Sequence, residues 1–256
     1  MPGMLQIHNM RTFGLIGYPL SHSFSKKFFT EKFEKEGIAE HKYELFPIEN
    51  IAAVISLIAA DNSLSGLNVT IPHKVGVMPY LNELDAAAEK IGAVNCISIK
   101  HKDGQSILKG YNTDAFGFQE SLKPFLKAHH THALILGDGG AAKAVKYVLD
   151  QLNISYLSVV RTAAPDAILY ADLTQELIDK HQVIINTTPL GTFPNVEAAP
   201  DIPYHWLKPQ HLAYDLVYNP EETEFLKRAR AQGAAVKNGY EMLELQAERS
   251  WVIWNA

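Results

Sequence analysis

A chain of 256 residues that is 47% hydrophobic and 20% charged can bury one large core or two smaller ones with a cleft between, and is too apolar to be disordered. Its net charge of −5 argues against nucleic acid as a partner, and its single cysteine, Cys96, excludes a disulfide framework or a cysteine-rich metal site. The longest apolar stretch, Ile51 to Ala60, is too short to span a bilayer, and residues 1–10 lack the apolar centre of a signal peptide, so a cytoplasmic protein with no membrane partner is expected.

Apolar runs and turn residues alternate along the chain, the pattern of βα units. Arg11 to Gly17 (RTFGLIG) predicts a first strand, followed by the turn YPLSHS and a helix from Phe24 to Glu36 that Gly37 stops. Tyr43 to Pro47 predicts a short strand and Ile51 to Ala60 an apolar helix; Leu67 to Thr70, Val94 to Ile99 and Gln105 to Gly110 predict further strands. The clearest βαβ unit starts at Ala133. There the strand ALILG runs into the glycine turn GDGGAA, and Ala141, Ala144, Val145, Val148, Leu149 and Leu152 then recur at helical spacing. Ser155 to Val160, Val183 to Asn186 and His211 to Leu216 supply three more strands, making the second half a parallel, doubly wound sheet.

Gly137, Gly139 and Gly140 sit between a strand and a helix, the context in which bare backbone can approach a pyrophosphate at a helix N-terminus. The alternative is an ordinary glycine-rich turn. Ala142 takes the place of the last fingerprint glycine, and the Asp138 carboxylate has to point away or be held by Lys143. The next strand ends in Arg161 and Thr162, which suit a 2′-phosphate and hence NADP; Asp166 leaves NAD open.

Polar groups crowd the first half. Ser21, Ser23 and Ser25 alternate; Asn68, Thr70 and Lys74 lie in NVTIPHK, Asn95 in GAVN, and Asn112, Thr113 and Asp114 in NTD. Singly they read as helix caps and surface charge, with Asp114 as the cap of the helix through Phe116 and Phe118. Of the histidines, His8, His101, His181 and His205 are scattered, and His129, His130 and His132 occupy a turn without metal-ligand spacing, so no metal is expected.

Together the segments GYPLSHSFS, GLNVTIPHK, GAVN, GYNTDAFGF, LGDGGAA, NTTPLG, YDLVYNPEET and GYEMLELQA resemble the shikimate dehydrogenase family, from Phe13 to Ala247. The resemblance implies a two-domain α/β protein. Residues 1–112 would form the substrate domain, joined by a returning C-terminal helix at 237–256, and 113–236 a Rossmann-like NADP domain. It further implies reversible NADPH-dependent reduction of 3-dehydroshikimate to shikimate in aromatic amino-acid biosynthesis, by a monomer or homodimer. Lys74 and Asp114 would be the catalytic pair, and Ser23 and Ser25 would hold the substrate carboxylate. Thr70, Asn95, Tyr218 and Gln246 would surround the ring. Gly137, Gly139, Gly140, Ala141, Arg161, Thr162, Thr188, Gly191 and Gly239 would bind the cofactor. A lysine oriented by a carboxylate suits the chemistry, because an alcohol gives up its proton as hydride leaves.

The chain departs from the family pattern where Lys26 follows Ser25, where Thr192 follows Gly191, and where Val160 precedes Arg161; Ala163 to Pro165 add no second basic residue. Two other readings compete. One is a quinate/shikimate dehydrogenase using NAD or both cofactors; the other is a non-catalytic nucleotide-binding regulatory protein, which would not need both Lys74 and Asp114.

Overall fold

The computed structural model describes residues 10–20 and 23–256, so Ser21 and His8 lie outside the described residues. In chain order the first elements are β1 (Arg11–Gly17), α1 (Phe24–Lys35), β2 (His41–Pro47), α2 (Ala53–Ala60), β3 (Leu64–Val69), α3 (His73–Gly76), β4 (Glu83–Leu84), α4 (Ala86–Ile91), β5 (Cys96–Lys102) and β6 (Gln105–Tyr111). They are followed by α5 (Thr113–Leu122), β7 (His132–Leu136), α6 (Gly140–Gln151), β8 (Ser155–Val160), β9 (Ala167–Leu169), α7 (Gln175–Lys180), β10 (Val183–Asn186), β11 (Leu212–Asp215), α8 (Glu224–Ala231), β12 (Ala235–Lys237) and α9 (Tyr240–Trp254). Two compact units result. One holds the described residues up to Thr113 together with Ala247–Ala256, the other Asp114–Gln246.

The first unit is built on a six-stranded sheet in the order β2-β1-β3-β5-β6-β4. β1 pairs in parallel with both β2 and β3, so each link needs a crossover, which α1 and α2 provide. Ser23 starts α1 by accepting the Lys26 N–H at 3.1 Å, and Phe29 and Phe33 turn its buried face onto the sheet. Phe29 stacks on Tyr43 at 4.7 Å between centroids, and Phe13 on Trp254 at 4.8 Å. Trp254, on the last turn of α9, lies directly over Gly66 of β3 and donates its indole N–H to the Ile97 carbonyl at 3.0 Å. Any side chain at Gly66 would occupy the indole's place.

The second unit's sheet runs β12-β11-β10-β7-β8-β9, and every neighbouring pair is parallel. The chain therefore winds outward from β7 in both directions, the dinucleotide-binding strand order, with its switch between β7 and β10. α6 packs through Ala142, Ala144, Val145, Val148 and Leu149. The expected inward Ala141 is instead exposed and Ala142 fully buried, because the small residue that lets helix meet sheet stands one place later. β4, β9 and β12 were not expected: runs of two or three residues carry no period. Lys237 ends β12, so the last helix starts at Tyr240 rather than at 237.

Below β7, His130 is buried and bridges two backbone groups. Its Nδ1 accepts the Lys127 N–H at 3.1 Å, and Nε2–H donates to the Gln210 carbonyl at 3.0 Å. Burial pushes its pKa below the ordinary value, against the raising effect of the Gln210 bond. The unfolded chain thus binds this proton more readily, and stability falls as pH drops from about 6.5 through the lower native value. His130→Ala is expected to cost about 1–3 kcal/mol at about pH 8, by leaving the Lys127 N–H unpaired and the Gln210 carbonyl with only the longer His129 bond at 3.3 Å. It should also flatten the loss of stability in urea unfolding between about pH 8 and about pH 5.5, and an unchanged slope would refute this account.

Candidate active site

At the switch point, the C-terminal ends of β7 and β10 open onto a cavity of about 920 Å³ within the second unit. Gly137 follows β7 at φ +98°, with its N–H on the Val159 carbonyl at 2.9 Å. A Cβ there would sit 2.9 Å from Thr188 Cγ2 and 3.0 Å from Thr187 Oγ1. Gly139 is the N-cap of α6 and offers no side-chain cap to the helix's first N–H groups. Around Gly139 and Gly140 a Cβ would meet nothing within 4 Å, so their backbone faces open space. The Asp138 carboxylate is held by Lys146 at 2.5 Å, not by Lys143, which sits exposed a turn earlier on the helix.

Gly137, Gly139, Arg161, Thr162 and Thr188 all line this cavity. Gly140 and Ala141 do not, and Gly191, at φ +86°, belongs to a neighbouring depression of about 790 Å³ with Thr192 and Phe193. Gly239 lines neither; it lies against the Leu216 backbone, where a side chain has no room. Tyr170 and Asp201 also line the main cavity, and sequence reasoning missed both. Burial raises the Tyr170 pKa, Arg161 lowering it and Asp201 raising it further. Asp166 lies on an exposed turn at φ +57°, outside the lining.

The wall opposite the glycine turn is NTTPLG. Asn186 Oδ1 accepts from the Thr188 N–H at 3.0 Å and the Thr188 hydroxyl at 2.6 Å, while its Nδ2 donates to Asp215 at 2.9 Å. Asp215 is fully buried and also accepts from the Val217 N–H at 3.0 Å and the Thr223 hydroxyl at 2.5 Å. Burial pushes its carboxyl up to about 6, against the lowering effect of those three donors. An Asn two residues before a Thr is an Asx-turn signal that could have pointed to this arrangement.

In the first unit Lys74 sits half-buried on α3, the short helix after NVTIP. That helix is pinned twice: His73 Nε2–H donates to the Ile48 carbonyl at 2.5 Å, and the Lys74 carbonyl accepts the Val94 N–H at 2.7 Å. The Thr70 backbone bonds to the Ile16 carbonyl at 2.9 Å. Asn95, next to Val94, is buried; its Oδ1 accepts the Thr113 N–H at 2.6 Å and its Nδ2 donates to the Thr113 hydroxyl at 2.9 Å. Asn95 thereby caps α5 from outside the helix. Asp114 is accordingly not the cap expected from sequence but a half-buried residue of the first turn, because Asn95 already serves the end.

Ser25 lies beside the buried Tyr43 hydroxyl, which donates to Asn68 Oδ1 at 2.8 Å, and Asn68 Nδ2 reaches Ser250 at 3.0 Å. Ser23 is occupied as the α1 cap. Lys26, the departure beside them, is paired with Glu44 at 2.6 Å. Within the second unit Tyr218 is 40% exposed, whereas Gln246 is buried and donates to the Leu243 carbonyl at 2.9 Å. Among the described residues no group of three or more His, Cys, Asp or Glu could hold a metal, and no helix is long and apolar enough to cross a membrane.

Residues 15–97 match the family described as "Shikimate dehydrogenase substrate binding domain". The chain is 37% identical to the shikimate dehydrogenase (NADP(+)) of Methanosphaera stadtmanae over 94% of this chain and 90% of that one. Its fold is similar to a crystal structure of a shikimate dehydrogenase in complex with NADP+, with TM-score 0.83, 34% identity and coverage of 96% and 90%. It is also similar to the Thermus thermophilus shikimate 5-dehydrogenase in complex with NADP(H) and shikimate, with TM-score 0.82, 30% identity and coverage of 96% and 93%.

The two cavity glycines should respond differently to a methyl group. Gly137→Ala is expected to destabilise by about 1–3 kcal/mol, from its left-handed backbone and the contact with Thr188. Gly139→Ala, with φ −82° and open space around it, should leave thermal unfolding unchanged. Equal losses in the two variants would contradict the geometry of the turn.

Proposed function

The chain belongs to the shikimate dehydrogenase family, and on that premise we propose which of its residues perform the reaction. The activity is NADP-dependent oxidoreduction: the ring alcohol of shikimate is oxidised to the ketone of 3-dehydroshikimate, and the reverse reduction serves aromatic amino-acid biosynthesis. The observation that carries the assignment of residues is the cavity at the switch point, where the open glycine backbone, Arg161 and the NTT turn share one lining.

These residues fit a dinucleotide. The uncapped N–H groups of α6 and the bare backbone of Gly139 and Gly140 suit the pyrophosphate. Arg161 and Thr162 suit the adenosine 2′-phosphate, and Thr188 to Gly191 the nicotinamide side. When bound, NADP supplies the hydride acceptor or donor. Lys74 Nζ takes the proton from the reacting hydroxyl during oxidation and returns it during reduction. Asp114 orients that ammonium, and the pair stabilises charge developing on the oxygen. Ser23 and Ser25 hold the substrate carboxylate, while Thr70, Asn95 and Gln246 hold the ring hydroxyls and Tyr218 lines the site. Retention of both Lys74 and Asp114 favours an enzyme over a regulatory protein of the same fold. The same reading makes the enzyme cytoplasmic and a monomer or homodimer.

Lys74→Ala is expected to lower kcat by about 10²–10⁴-fold with a much smaller change in shikimate KM. The double variant with Asp114→Asn should be far less than multiplicatively worse, because the two groups act as one. A near-normal kcat in folded Lys74→Ala removes Lys74 from the mechanism. For the cofactor, Arg161→Ala should weaken NADP by about 1.5–3 kcal/mol and NAD much less, since only NADP carries the 2′-phosphate. Equal losses measured by parallel kinetics with the two cofactors would make Arg161 a stacking or structural residue.

A further inference from the structure

A fully buried carboxylate with no cation among its partners is an expensive group to keep for stability alone. Asp215 is such a group. Its three donors are Asn186 Nδ2, the Val217 N–H and the Thr223 hydroxyl, all neutral dipoles. The geometry gives the charge a directional role.

An ionised carboxylate only accepts hydrogen bonds, so Asn186 must present its NH₂ to Asp215. Its Oδ1 is then fixed on the Thr188 N–H and hydroxyl, at 3.0 Å and 2.6 Å. The Thr188 oxygen in turn accepts the Leu190 N–H at 3.3 Å. On the other side the Thr223 hydroxyl must donate to Asp215, which leaves its lone pair for the Leu226 N–H at the start of α8. The chain of bonds ends on the wall of the main cavity, where Thr187, Thr188, Pro189 and Leu190 all line it and Gly137 abuts the two threonines.

We propose that Asp215 is a positioning residue that, through Asn186, fixes the Thr187 to Leu190 turn where the nicotinamide half of the cofactor lies. This rests on the reading of Thr188 to Gly191 as the nicotinamide side. An asparagine at 215 would be close to isosteric but could donate as well as accept. The Asn186 amide would then no longer be held in one orientation, and its NH₂ could face the Thr188 N–H.

Calorimetric titration with NADP and with adenosine 2′,5′-bisphosphate, which is only the adenosine half, tests this. Asp215→Asn is expected to weaken NADP roughly tenfold while leaving the bisphosphate unchanged. In steady-state kinetics kcat should fall while shikimate KM stays near its wild-type value. If Asp215→Asn does not fold, Asn186→Ala breaks the same link between the carboxylate and Thr188, while leaving Thr223 on Asp215, and should show the same split. Thr223→Ser, which keeps the hydroxyl, should behave as wild type. Equal weakening of both ligands, or no weakening of either, overturns the proposal. Failure of the wild-type enzyme to bind the bisphosphate would instead overturn the underlying cofactor reading, and the proposal with it.

Discussion

A parallel sheet whose chain winds outward in both directions from one strand has to leave a gap above that strand's C-terminal end. In the second unit that strand is β7, and both walls of its cavity follow from the constraint. The crossover through α6 leaves to one side and the strand β10 stands on the other. The loops after β7 and β10 must therefore meet across the gap. They meet closely: Gly137 has no room for a side chain because Thr187 and Thr188 already occupy it. The helix start beside Gly139 then presents its N–H groups to the open space, which is where an anion gains most from the helix dipole.

The first unit works by different means. Its candidate residues are held by buried polar side chains reaching across the sequence rather than by strand order. His73 and the Lys74 carbonyl anchor α3 to the Ile48 and Val94 backbones, and Asn95 caps α5 from a neighbouring segment. Tyr43, Asn68 and Ser250 form a buried chain of hydrogen bonds. Such networks rigidify a site because every member that loses its partner is left desolvated and unpaired. The serines, amides and lysine of the motifs are thus embedded in scaffolding.

Much of this was legible in the residues, for identifiable reasons. The strand–glycine–helix pattern from Ala133 sets a short continuous apolar run before a 3.6-residue period, and the order of the motifs carried the family. What stayed hidden was set by long-range partners. Asp114 has every local feature of a cap, but Asn95 takes the role from 18 positions away. Lys143 is the nearer cation to Asp138, yet Lys146 holds it. Tyr170 and Asp201 reach the cavity from segments with no pattern of their own, and β4, β9 and β12 are too short to announce themselves.

The indole of Trp254 over Gly66 bears on the order in which the protein is made. Domains emerging from a ribosome tend to fold N-terminal first, at about 5–20 residues per second. Here the N-terminal unit takes part of its core from residues 247–256, which are synthesised after the whole of the second unit. Until they arrive, Phe13, Phe29 and the bare backbone at Gly66 lack the cover of the Trp254 indole. The unit that begins first is therefore completed last.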